Sequence, residues 1–144
     1  MIKLILQQTL LPVGEQFSKD DLLFIAKTIG SLVAQKKEGE IAIAMIDDQE
    51  IQRLNRMYRG IDKETDVLSF GYADASHAKN SLGDVVISYP QAVRQAIGNT
   101  RGELLRLMIH GILHVLGFDH ERPEDARQMF PLEDQLFSQL SSLV

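Results

Sequence analysis

A chain of 144 residues, 44% hydrophobic and 24% charged, carries enough apolar side chain for one domain over residues 1–144 with its own core. It has no cysteine, which excludes a disulfide scaffold and any thiolate metal site, so a metal must rest on His, Asp or Glu. The net charge of −5 excludes the broad basic footprint of a general nucleic-acid binder, though not a local basic cleft.

Residues 2–8 (IKLILQQ) read as a first strand. Gln7 and Gln8 interrupt this apolar start and no small-residue cleavage site follows, so it is not read as a signal peptide. No apolar run approaches the ~20 residues that cross a bilayer, and the expected location is the cytoplasm. Ser18 is positioned to cap a helix running to about Lys37, with Leu22, Leu23, Ile25, Ala26, Ile29, Leu32 and Val33 at mostly helical spacing. Gly39 ends that unit, and residues 41–46 (IAIAMI) read as a buried strand. Asp47 with Glu50 makes a capping-box pattern ahead of a helix to about Tyr58, whose apolar side is Ile51, Leu54 and Tyr58.

Residues 66–72 and 82–89 read as two more strands, joined by a polar loop from Ala73 to Ser81 that is long for a tight hairpin. Pro90 opens a short helix that Gly98 closes. Thr100 with Glu103 starts a capped helix that Gly117 ends, and Pro123 opens a last helix to about Ser141. The order β-α-β-α-β-β-α-α-α predicts an α+β fold, a small mixed sheet of about four strands flanked by about five helices.

The segment His110-Gly-Ile-Leu-His114-Val-Leu-Gly117-Phe-Asp-His120 carries the chemistry. Residues four apart on a helix lie roughly 40° apart around its axis, one turn above each other, so His110 and His114 can present two imidazoles to one ion. Gly117 can take the left-handed conformation that turns the chain back and brings His120 to the same ion. Three nitrogen ligands leave a fourth position open, as in a catalytic zinc site, where the pKa of water falls to about 7. A lone histidine on an apolar helix is usually a packed core residue, but three of the chain's four histidines fall here at ligand spacing. Asp119 is a possible fourth ligand, or a residue of the turn. Glu121 and His77 read as ordinary solvated side chains.

The histidine spacing also matches the metzincin proteases, but those place a glutamate general base straight after the first histidine. Here that position is Gly111. A second segment points elsewhere. Arg53, Arg56 and Arg59 recur every third residue along the second helix, with Lys63 just beyond. Such a stripe is usually a solvated face, yet an arginine at the helix end, such as Arg59, can reach a phosphate with a forked contact.

Together these segments resemble the YbeY family of bacterial endoribonucleases and rRNA maturation factors. The resemblance is carried by LNRMYRGIDKETDVLSF (54–70), LGDVVIS (82–88) and HGILHVLGFDH (110–120), in family order and spacing. Glu64 stands where the family often has proline, and Gly71 where proline commonly follows the phenylalanine. Both bear on the loop path and touch no metal ligand. The resemblance implies a zincin-like hydrolase fold and a zinc-dependent, single-strand-specific endoribonuclease acting in 16S rRNA 3′-end maturation and ribosome quality control. By position it implies one zinc ion on His110, His114 and His120, Arg59 as the cleft arginine, and a need for His114 in activity.

Phe70, Tyr72 and Phe118 are candidates for stacking bases, with core packing the commoner fate of such residues. A −5 chain should hold bare RNA weakly, so the ribosome or a ribosomal protein is the expected partner that delivers the substrate. Two other functions fit the same motif: a metallohydrolase acting on peptides or small molecules, and a non-catalytic assembly factor in which zinc only holds the fold.

Overall fold

The computed structural model describes residues 1–33, 38–72 and 80–144. Four strands form one sheet in the order β1-β2-β4-β3: β1 (Ile2–Gln7), β2 (Gly39–Ile46), β3 (Val67–Gly71) and β4 (Ser81–Ser88). β1, β2 and β4 run parallel, and β3 lies antiparallel on the β4 edge. Five helices accompany them: α1 (Lys19–Leu32), α2 (Asp48–Arg59), α3 (Tyr89–Gln95), α4 (Thr100–Val115) and α5 (Pro123–Leu140). The predicted mixed sheet and α+β class are what the chain forms. Short 3₁₀ turns at Val13–Glu15 and Ser141–Leu143 carry no sequence signal read above. Among the described residues no helix is long and apolar enough to cross a membrane.

The strands bury alternate residues. Ile2 and Leu4 of β1, Ile41, Ile43 and Met45 of β2, and Val85 and Ile87 of β4 are all buried. The segment 41–46, read as a buried strand, is buried through Ile41, Ile43 and Met45. Its alternate residue Ala42 is exposed, so the strand is apolar throughout but buried on one side. Against that side lies α4, whose Leu104, Leu105, Met108, Ile109, Ile112 and Leu113 are buried, so it has little exposed surface of its own. α1 packs on β1 and α5, and α5 packs back on α4.

The helix ends follow their capping chemistry, with three adjustments. Ser18 and Asp21 make a reciprocal capping box at α1. Asp47 caps α2 by accepting from the Glu50 N–H, but the Glu50 carboxylate pairs with Arg53 and does not return to the cap. The cap of α4 is Asn99, one residue before Thr100, and Glu103 instead accepts from the Gln95 amide. The third adjustment is at α1, where regular helix ends at Leu32; residues 34–37, including the expected end at Lys37, lie outside the described residues, as do residues 73–79 with His77.

Close packing at two glycines brings β3, β4 and α4 together. A Cβ on Gly83 would meet the Phe70 carbonyl oxygen at 2.3 Å and Val115 Cγ1 at 2.8 Å, and one on Gly111 would meet Val85 Cγ1 at 2.5 Å. The C-terminal half of α4 therefore lies tight against β4 and the edge strand β3, which sets His114 beside the end of α2 that leads into β3.

Candidate metal centre

His110 and His114 stand one turn apart on α4, both half-buried. The helix then closes in a Schellman turn. Gly117, at φ +102°, donates to the His114 carbonyl, and Phe118 donates to the Leu113 carbonyl, both at 3.0 Å. The positive φ is open to glycine without the strain a side chain would add. The reversed chain carries His120 back over the helix end. The Asp119 carboxylate fixes this turn by accepting from the His120 and Glu121 N–H groups at 2.6 and 3.2 Å. The backbone N–H of His120, followed by that of Glu121, holds the Asp119 carboxyl below its ordinary range. Asp119 thus serves the turn, the second of the roles the sequence left open, and Glu121 is exposed.

The result is three imidazoles facing one point. One nitrogen from each of His110, His114 and His120 lies within 4.8 Å of the other two, and the Nε2 atoms of His110 and His114 are 3.1 Å apart. Zinc–nitrogen bonds of about 2.0–2.1 Å in a tetrahedron place ligands about 3.3–3.4 Å apart, so the donor set fits a small divalent ion with modest adjustment. Burial lowers the pKa of His114 from its ordinary value, and the neighbouring His110 and His120 rings lower it further. That keeps the ring neutral at pH 7, the form that can ligate.

α5 backs the centre with two side chains that the sequence reading missed. Glu133 takes the Nδ1 position of His110 in a short contact, which leaves Nε2 to face the other histidines. Phe130 stacks on His120, with ring centroids 5.9 Å apart and planes 25° from parallel. The two are three residues apart and share a helix face. That spacing was visible in the sequence, but nothing there told which element the face would meet.

Arg59 lines the same cavity of about 480 Å³ as the three histidines, together with Ser69 of β3. The arginine stripe predicted on α2 exists, but most of it is neutralised. Arg53 pairs with Glu50 at 2.6 Å and Arg56 with Asp62 at 3.4 Å. Arg59 pairs with no carboxylate among the described residues. It donates to the Ser69 carbonyl at 2.6 Å, and its guanidinium sits 5.2 Å from the Phe70 ring centroid. Lys63 is exposed, and its carbonyl accepts from the buried Asn55 side chain. Of the three aromatic candidates, Phe118 packs against the core, while the Tyr72 hydroxyl donates to Asp84 in a short contact.

Gly111 faces Val85, so a glutamate there would be driven into the sheet. Among the described residues no acidic side chain stands in the place where the metzincin proteases carry their base. The centre can therefore polarise a bound group through a metal and balance anionic charge with Arg59, a combination suited to phosphate esters.

Comparison with known proteins agrees with this chemistry. The family model described as Endoribonuclease YbeY matches residues 8–141. An endoribonuclease YbeY of Persephonella marina is 50% identical over 109 residues, covering 72% of this chain and 71% of the relative. That of Desulfitobacterium hafniense is 37% identical over 146 residues, covering 92% of each. The solution structure of a Thermotoga maritima protein matches with a TM-score of 0.59 at 23% identity, over 97% of this chain and 89% of that one, and shares the fold.

Proposed function

This chain belongs to the YbeY endoribonuclease family, and from that premise we propose that it cuts single-stranded RNA at a zinc ion held by His110, His114 and His120. The process in which it acts is 16S rRNA 3′-end maturation and ribosome quality control in the cytoplasm. The observation that carries the reading is the placing of Arg59, a cation without an acidic partner among the described residues, in the same cavity as the three histidines. Zinc bound there supplies a Lewis acid and makes water a nucleophile or base at neutral pH.

The chain's own residues do the rest. Arg59, steadied by the Ser69 carbonyl and the Phe70 ring, offers its remaining N–H groups to the non-bridging oxygens of the scissile phosphate. That contact strengthens as negative charge builds in the transition state. Glu133 keeps His110 in the tautomer that ligates, and the Asp119 turn keeps His120 over the helix end. A flexible single strand can bend a phosphate into this concave site more easily than an A-form duplex. With a net charge of −5, and with Arg53 and Arg56 each beside a carboxylate, the chain should hold bare RNA weakly, which supports delivery by the ribosome or a ribosomal protein.

The test is cleavage of an end-labelled single-stranded RNA by zinc-loaded protein, beside chelated protein, His114→Ala and Arg59→Ala. Chelation and His114→Ala should abolish cleavage, and Arg59→Ala should lower kcat by about 10²–10³-fold. The same RNA presented on ribosomal particles should stay a substrate at moderate salt, where free RNA loses activity. No cleavage by the unmodified protein in either form would overturn the reading. A substrate with hydrogen in place of the 2′-hydroxyl separates the two routes, since direct attack by water leaves it cleavable.

A further inference from the structure

Beside the metal cavity lies a second one, of about 710 Å³, and Arg59 and Ser69 line both. We propose that this second cavity is a nucleobase subsite, which receives the base of a nucleotide next to the scissile phosphate. The proposal rests on the ribonuclease reading above and adds to it where the strand runs and what it reads.

The lining separates a base from every other part of an RNA strand. Leu54 and Val86 are apolar, and Tyr58 and Phe70 present ring faces and edges. Tyr58 is 63% exposed although it is a large aromatic residue. It meets Phe70 edge-on, with centroids 5.5 Å apart and planes at 64°. Neither ring belongs to the buried core cluster or to the side chains packed against it. Phe118, by contrast, packs against the core cluster. Offset and edge-on aromatic pairs of this kind accept a further ring beside them.

The charge in the cavity settles which group enters. Arg59 stands at the boundary with the metal cavity, and among the described lining residues the acidic one is Asp84 of β4. A carboxylate repels a phosphate and accepts from N–H donors. Its Oδ2 takes the Tyr72 hydroxyl, which leaves Oδ1 to accept from the edge of a base. A sugar–phosphate backbone would place anions against Asp84, whereas a base brings an apolar face to Tyr58 and Phe70 and an amino group to the carboxylate. The subsite therefore favours bases with an exocyclic amino group (adenine, cytosine or guanine) over uracil. Continuity through Arg59 and Ser69 fixes the adjacency: a strand whose phosphate meets Arg59 at the metal has its neighbouring base at this opening.

The experiment uses full-length zinc-loaded protein and a set of short single-stranded RNAs that differ in one base at a time beside the cut. Each RNA is followed by KM and kcat, and by anisotropy with labelled copies whose scissile linkage is a non-hydrolysable methylenephosphonate. For the unmodified protein, KM and anisotropy should favour an amino base over uracil about tenfold at one position. Tyr58→Ala, an exposed site whose loss spares the core, should raise KM about tenfold with one zinc per chain retained, and Tyr58→Phe should restore it. Asp84→Asn should flatten the preference among bases. Unchanged KM and base profile in Tyr58→Ala and Asp84→Asn, with RNA still cut by the unmodified protein, would overturn the subsite alone. No cleavage or binding of any RNA by the unmodified protein would overturn the ribonuclease reading, and the subsite with it.

Discussion

Glu133 and His110 form the contact at the centre that has the plainest consequence for metal binding. An imidazole ligates through one nitrogen, and the partner of the other decides which nitrogen is free and where the ring points. Glu133 holds Nδ1 and so commits Nε2. Removing such a partner lowers metal affinity by about 10–100-fold. Glu133→Ala should show the full loss in a competition titration against a chromogenic chelator. Glu133→Gln, which keeps an acceptor oxygen but drops the charge, should fall between it and the unmodified protein. Equal affinity in all three would mean that α4 alone orients His110. Since the readout is the binding constant of the metal, it stands whether or not RNA is the substrate.

At the scale of the elements, the contact between α4 and β4 is where the sequence departs most usefully from the protease pattern. A Cβ at position 111 meets Val85 Cγ1 at 2.5 Å and Cγ2 at 3.1 Å, and Val85 is fully buried on β4. Its γ carbons are short and have nowhere to turn. Gly111→Ala gains about 1 kcal/mol of helix propensity but overpacks the contact by about 1–3 kcal/mol. The expected net result is a destabilisation of about 1 kcal/mol, read as a lower urea midpoint with unchanged slope. A higher midpoint would mean that β4 yields. Much at this scale was legible in the sequence because it is local: Ser18 with Asp21, Asp47, and Gly117 all act within a few residues of themselves. The histidine triad was legible for the same reason, since one helix turn and one glycine bring all three together. What was not legible depends on long-range meetings. The strand order β1-β2-β4-β3 is set by which apolar faces meet, and Glu133 reaches His110 from 23 residues away. Asn99 displaced Thr100 as the cap of α4 because either side chain can accept the same N–H, and propensity barely separates them.

For the whole molecule, the question is whether the fold needs the metal. The core runs from Ile2 and Leu4 on β1 through Ile41, Ile43 and Val85 to Leu104, Met108, Ile112 and Leu136, and it contains none of the three histidines. The buried polar residues Asn55 and Ser88 are satisfied within the protein, by the Lys63 carbonyl and by Asp48. The ligands sit at the lip of this core, His120 exposed and the other two half-buried. A structural metal site in a small domain replaces a missing core; here the core is present without it. Chelation should therefore leave the far-UV circular dichroism essentially unchanged while activity is lost. Metal bound at about a hundred times its dissociation constant stabilises a fold by about 2.7 kcal/mol, so the melting temperature should fall by roughly 10 °C for a chain of this size. Loss of the helical signal on chelation would overturn this and favour a non-catalytic factor whose zinc holds the structure. A retained fold with lost activity places the metal in the chemistry, because α4, which carries His110 and His114, is held by Leu104, Met108 and Ile112 against the sheet and does not wait for the ion to form.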